Sequence, residues 1–240
     1  MTSISVVIPA KDDAVMLDRC LAALSGQRRR PDEVIVVDNG STDDTVEVAR
    51  RHGATVIGED RPGITAAASA GYDRASGDII ARCDADSIAP PGWLERIERM
   101  LEQHPDAVAI TGRGRFYDLG PVARAAADLL YMRAYFVTVR GAIARTPLFG
   151  SNFAMRAAAW HAVSASVPRD EPELHDDFDL SYRLDPGERV LYDRRLVVGI
   201  SGRPFADGRA MVRRVRRAGT TLAEHLPEEN PLRRWWHRAV

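Results

Sequence analysis

Along the first hundred residues, short β-branched apolar runs alternate with stretches whose apolar positions recur at helical spacing. Ile4-Ser5-Val6-Val7-Ile8-Pro9 is such a run, ended by a proline, and it predicts a central parallel strand feeding a loop. Asp12 or Asp13 then caps a helix that places Leu17, Cys20, Leu21 and Leu24 on one face. Val34 to Val37 reads as a second strand ending in Asp38, and Asn39-Gly40-Ser41 is turn chemistry. Ser41 or Thr42 caps the next helix, with Asp43 and Asp44 favourable against its dipole. Ala54 to Ile57 is a third strand, and Ile64 to Ala75 is an alanine-rich helix closed by Gly77. Ile79-Ile80-Ala81 is a fourth strand, running out into Asp84 and Asp86.

Strands alternating with helices predict an α/β fold: a Rossmann-like, mostly parallel sheet flanked by helices. In the second half a helix from Trp93 to about His104 and a strand at Ala107 to Ile110 finish that sheet. A long helix from about Pro121 to Ala144 follows, packing on the sheet with its arginine stems snorkelling. Gly150 to Arg156 returns to the sheet, with Trp160 on the helix after it, and a helix begins at Asp176. Arg189 to Tyr192 and Leu196 to Ile200 read as a hairpin or paired edge strands. From Arg203 the chain is basic, with Arg209, Arg213, Arg214, Arg216 and Arg217 on a helix. The expected organisation is a lobe over 1–115, a second over 116–202 and a basic helical tail over 203–240.

Composition narrows the class without naming a chemistry. Of 240 residues 45% are apolar and 28% charged, as in a soluble globular protein, and a net charge of -1 gives no general attraction to nucleic acid. Only Lys11 among the 33 basic residues is a lysine. No apolar run approaches the roughly 20 residues of a membrane span, and the N-terminus enters strand-like sequence directly, so the expected location is cytoplasmic. Cys20 and Cys83 are read as small buried hydrophobes.

Chemistry enters where the strands end. Side chains alternate along extended chain, so Asp84 and Asp86 would point the same way, and two such anions repel unless a cation lies between them. Mg²⁺ or Mn²⁺ suits hard oxygen ligands and needs only one or two protein carboxylates. The plainer alternative is a solvated acidic turn before the helix that Pro90-Pro91-Gly92 opens. Convergence favours the ligand site: the segments after the first, second and fourth strands all lie at the carboxyl edge, where open parallel sheets bind ligands. Asp176 and Asp177 start a helix, where plain capping and catalysis are both open readings.

Several motifs in order carry a family resemblance. Val6-Val7-Ile8-Pro9, Val36-Val37-Asp38-Asn39-Gly40-Ser41-Thr42-Asp43, Gly77-Asp78-Ile79-Ile80 through Asp84-Ala85-Asp86, Gly150 to Arg156 and Asp176 to Leu184 together resemble a family 2 glycosyltransferase, over residues 3 to about 203. The resemblance implies a GT-A fold with a fused acceptor-side lobe. It also implies transfer of a sugar, usually with inversion, from a nucleotide diphosphate donor with uracil the commoner base. Pro9, Ala10 and Asp12 or Asp13 would line the base and ribose pocket, and Asp38 would accept a hydrogen bond from the base. Asp84 would contact ribose, metal or metal-bound water, Asp86 would ligate the divalent metal, and Asp177 would be the general base. Asp176 beside it would raise its proton affinity, and Ser151 and Asn152 would lie on the acceptor side. Arg203 and the arginines after it either close over the diphosphate or form a solvated helix face.

The chain departs from the family pattern at Ala68-Ser69, where Arg-Asn is frequent, and at Asp176-Asp177, where Glu-Asp is frequent. The Gln-x-x-Arg-Trp motif of processive synthases is absent, which favours addition of a single sugar to a small-molecule, glycan or lipid-linked acceptor. The rival functions are a nucleotide-sugar-binding regulatory or inactive paralogue and, less well supported, a sugar nucleotidyltransferase, for which the basic glycine-rich loop after the first strand is missing. Trp235 and Trp236 among arginines suggest either weak peripheral contact with the inner face of a membrane or packing on the chain's own domain or a second subunit in a homodimer.

Overall fold

The computed structural model describes residues 2–203, 208–225 and 235–236. The β-branched runs form β1 (Ile4–Ala10), β2 (Glu33–Asp38), β3 (Thr55–Gly58) and β4 (Ile79–Arg82), which are mutually parallel in the order β3-β2-β1-β4. Between them run α1 (Ala14–Ser25), α2 (Thr45–Arg51) and α3 (Ile64–Arg74). All four strands are therefore aimed at one edge, with their following loops side by side. The remainder of the seven-stranded sheet continues β6-β5-β7 from β4. These are β5 (Ala107–Phe116), β6 (Phe153–Arg156), antiparallel to both β4 and β5, and β7 (Arg189–Ile200), parallel to β5. The strands after residue 115 thus extend the same sheet as those before it.

Alternation along β1 divides the core. Val6 and Ile8 face a layer made by α1 and α4 (Trp93–Gln103), where Leu17, Leu21, Trp93 and Ile97 are buried. Val7 faces the other layer, made by α3, α6 (Ala157–Val163) and α7 (Asp176–Arg183), where Tyr72, Trp160 and Leu180 are buried. Gly71 lets α3 lie close on the sheet, because a Cβ there would stand 2.3 Å from Val7 Cγ1. Cys20 and Cys83 are buried free thiols in the first layer, 3.9 Å apart.

Three expectations are corrected. The hairpin over 189–200 is one strand: β7 slips register against β5 between Tyr192, opposite Thr111, and Val197, opposite Arg113. Within the bulge Asp193 accepts the Arg195 amide at 2.9 Å and pairs with the distant Arg96, and the Leu196 carbonyl accepts from the Asn152 side chain. The helix cap expected at Ser41 or Thr42 falls at Asp44, and the Ser41 hydroxyl instead accepts the Asp12 amide at 3.0 Å. The extended chain expected through Asp86 stops at Arg82, and a turn follows in which the Ser87 amide donates to the Asp84 carbonyl at 3.0 Å.

The long helix α5 (Pro121–Ile143) forms as expected but buries only Met132, Val139 and Ile143. The basic helix is α8 (Gly208–His225). The side chains of Arg209, Arg213 and Arg214, and residues Arg233, Arg234, His237 and Arg238, lie outside what is described. Among the described residues no helix is long and apolar enough to cross a membrane.

Candidate active site

At the carboxyl edge two cavities adjoin. The larger, of about 550 Å³, is lined by Pro9, Ala10, Asp13, Asn39, Asp86 and Arg203 among others. The smaller, about 120 Å³, is walled by Arg82, Tyr135, Gly150, Ser151, Asp176 and Asp177. Asp84, Ile64 and Arg217 line both, so the cavities meet at the end of β4.

The turn after β4 separates the fates of its two acids. Asp84 accepts Arg82 Nη2 at 3.1 Å and the Ser151 hydroxyl at 2.5 Å. Asp86 accepts Arg203 Nη2 at 3.0 Å, while Arg203 Nη1 reaches Asp13 at 2.6 Å. Burial, then the neighbouring Asp84 charge, push the Asp86 carboxyl above its ordinary range, and Arg203 pulls it partly back. Asp13, Asp84 and Asp86 thus form an anionic rim that attracts a cation, and Arg203 supplies one. A hard divalent ion suits such carboxylates, with a diphosphate completing its shell. Among the described residues, the group of three or more side chains close enough to hold an ion is His175, Asp176 and Asp177. There the Arg82 guanidinium already pairs with Asp176.

Arg82 was not singled out in the sequence, because a charged residue closing an apolar run looks like a solvated strand end. It is instead 1% exposed, held between Asp84 and Asp176. One buried cation thereby ties the turn after β4 to the start of α7. Removing one member of such a group leaves an uncompensated buried charge, at a cost of about 3–5 kcal/mol.

The acid pair at the start of α7 behaves opposite to expectation. Burial pushes the Asp176 carboxyl up, with the Asp177 charge adding to the rise against the pull of Arg82. Burial also pushes Asp177 up, but the His175 ring, whose Nδ1 lies 2.6 Å from Oδ1, outweighs it together with Arg82 and the Gly150 amide. The Gly150 amide donates to Asp177 Oδ2 at 2.6 Å. Asp177 therefore stays ionised to lower pH than an ordinary carboxyl, rather than binding its proton more tightly. Replacing His175 by Gln removes that lowering influence. The Asp177 titration, read by carboxyl carbon NMR, is expected to move to higher pH, and an unmoved titration would remove His175 as the cause.

Other residues chosen from the sequence are dispersed. Asp12, in the left-handed region at φ 50°, accepts the Thr42 amide at 2.7 Å and ties two loops together outside both cavities. That amide is the main reason its carboxyl lies below its ordinary range. Asp38 accepts the Ser41 amide at 3.1 Å, and its neighbour Asn39 lines the larger cavity instead. Asn39 is fixed there by donating to the Glu59 and Arg61 carbonyls, both at 2.7 Å, and accepting the Gly63 amide. Ser151 reaches Asp84 in the smaller cavity, whereas Asn152 lines neither. It is fully buried, accepting the Trp93 indole N–H at 2.8 Å and donating to the Leu196 carbonyl at 2.9 Å. Arg217 pairs with Glu173, and its Nε is buried without a hydrogen-bond partner among the described residues, at the junction of the cavities.

Comparison with known proteins places this architecture. The profile of glycosyl transferase family 2 matches residues 5–158, and the chain belongs to that family. An uncharacterised glycosyltransferase of Mycobacterium bovis is 41% identical over 113 residues, covering 47% of this chain and 49% of the relative. The chain thus spans about half the length of such curated relatives. Among solved structures, a mannosyltransferase from Pyrobaculum calidifontis in complex with GDP-Man and Mn²⁺ superposes with a TM-score of 0.72 at 20% identity, covering 99% of this chain and 69% of that one. Glucosyl-3-phosphoglycerate synthase from Mycobacterium tuberculosis, in complex with Mn²⁺, UDP and glucosyl-3-phosphoglycerate, gives 0.57 at 21% identity, covering 91% and 80%. The GT-A fold expected from the sequence is the fold observed.

Proposed function

We propose that the chain transfers one sugar from a nucleotide diphosphate donor to an acceptor hydroxyl with inversion, assisted by a divalent metal. The observation that carries this reading is the junction at Asp84. A cavity edged by Asp13, Asp86, Arg203 and Arg217 opens there onto a second cavity walled by ionised Asp177. Residues 1–115 would supply the donor half and 116–202 most of the acceptor half.

In this assignment Pro9, Ala10 and Asn39 border the base and ribose, and Asp86, with Asp84 and Asp13 beside it, holds the metal. A bound Mn²⁺ or Mg²⁺ would neutralise charge on the departing diphosphate. Arg217, with a donor to spare, and Arg203 are placed to meet the same anion. As the anomeric C–O bond to the diphosphate breaks, the acceptor oxygen forms a new C–O bond from the opposite face, and its proton passes to Asp177. Gly150 and His175 hold the Asp177 carboxylate in position for that transfer. Uracil is the base we expect, with guanine as the competing arm, given the UDP and GDP-Man of the two structural neighbours.

The test is a thermal-shift series with UDP, GDP and TDP and their common sugar conjugates, each with and without Mn²⁺, followed by an assay for nucleoside diphosphate release. Stabilisation by UDP that depends on Mn²⁺, with UDP released from a cognate sugar conjugate, is the expected result. Indifference to every nucleotide, or release of pyrophosphate, would sink the reading.

A further inference from the structure

A further cavity lies away from this chemistry. It is a groove of about 760 Å³ between α5 and the bulge of β7, and Arg113, Arg133, Arg140 and Arg194 line it against one acid, Asp128. None of these four arginines has a carboxylate partner among the described residues. Helix α5 is the partition: Tyr131 and Tyr135 line the catalytic cavity, while Met132 and Phe136 line the groove. Phe136 and Tyr192, both lining the groove, pack edge-on with ring centroids 4.9 Å apart.

Beside the arginines the surface is unusually apolar. Val122, Leu129, Leu130 and Val137 are 58–85% exposed, and with Arg133 and Arg140 they recur at helical spacing along the outer side of α5. At the C-terminal end of that helix the Trp235 indole donates to the Gly141 carbonyl at 3.1 Å, and Trp236 is exposed. Aliphatic side chains interleaved with cations, with tryptophan at the border, match the boundary between lipid headgroups and acyl chains. A second copy of the chain is a poorer occupant, because a two-fold interface would set the same unpaired arginines against each other.

We propose that this face binds a membrane rich in anionic phospholipid, the groove arginines holding headgroup phosphate and the aliphatic stripe entering the interface. The proposal does not rest on the catalytic reading, since the groove lies across α5 from that chemistry. The full chain should co-sediment with phosphatidylglycerol vesicles at low salt, bind phosphatidylcholine vesicles weakly, and be released by salt as screening shortens. Each basic residue near an anionic surface contributes roughly fivefold in partition. Arg133→Ala with Arg140→Ala should therefore lower the partition coefficient about 25-fold, and Leu130→Ser with Val137→Ser should lower it too. Nucleotide binding should be unchanged in both double variants, and Arg19→Ala, on α1, should bind vesicles as the parent does. The proposal is overturned by no binding to phosphatidylglycerol or by binding that the groove variants leave intact. It is likewise overturned by loss only in Trp235→Ser with Trp236→Ser, by tighter binding to a generic RNA, or by a dimer that the groove variants dissociate.

Discussion

Asp177→Asn is expected to lower turnover by about 10²–10⁴-fold while nucleotide diphosphate affinity stays close to that of the parent chain. The asparagine carbonyl can still accept the Gly150 amide, now 2.6 Å from Asp177 Oδ2, so the local backbone has no reason to move. The substitution removes the ability to take a proton from the acceptor. It also removes the carboxylate that lies 2.6 Å from His175 Nδ1, so the unfolding midpoint should be followed alongside. Steady-state release of nucleoside diphosphate with acceptor present gives turnover, and titration calorimetry gives affinity. Equal losses in both would count against Asp177 as base. Asp176→Asn supplies the contrast: its carboxylate is held by Arg82, so its loss should disturb the Arg82 and Asp84 positions and hence donor binding as well. If Asp176→Asn alone abolished turnover with donor binding intact, the two roles would have to be exchanged.

Asp86→Ala is expected to abolish the Mn²⁺ dependence of nucleotide binding and to reduce transfer on the order of 10³-fold, the several kcal/mol that metal stabilisation of a leaving diphosphate supplies. The reasoning rests on competition at one rim. Burial and the Asp84 charge leave the Asp86 carboxylate in need of a cation, and Arg203 fills that need by bridging to Asp13. Without Asp86 the guanidinium keeps Asp13 alone, so metal-free nucleotide binding should be retained or strengthened. Thermal shifts with UDP, with and without Mn²⁺, read the two effects apart. A Mn²⁺ response that survived in Asp86→Ala would place the ion elsewhere, with His175, Asp176 and Asp177 as the alternative ligands.

The fold was readable where burial is continuous along a strand or confined to one side of a helix. β1, β2 and β4 are buried in the sheet, so their apolar runs announce them, and the helices between them show one apolar side. β7 was misread because its bulge, Asp193 to Leu196, carries polar residues where a turn would also carry them. Arg96 pairs with the Asp193 carboxylate and Asn152 donates to the Leu196 carbonyl from other elements, and local sequence cannot reveal partners forty or more residues away. The same limit hid Arg82, whose burial is tolerable only because Asp176, 94 positions later, folds against it. It also reversed the expected titration of Asp177, since neighbouring acids were visible but the facing of His175 and the Gly150 amide was not.

Sequence alone determined the order of strands and helices and the edge at which acids gather, since both follow from side-chain periodicity and from the direction of parallel strands. Tertiary structure decided which of those acids line a cavity and which merely tie loops together. It set Asn39 rather than Asp38 in the larger cavity, buried Asn152 outside both cavities and brought Arg217 to the junction. The reason is physical: a polar side chain's role depends on the partners that desolvate and pair with it, and those are fixed by packing between segments far apart in the chain.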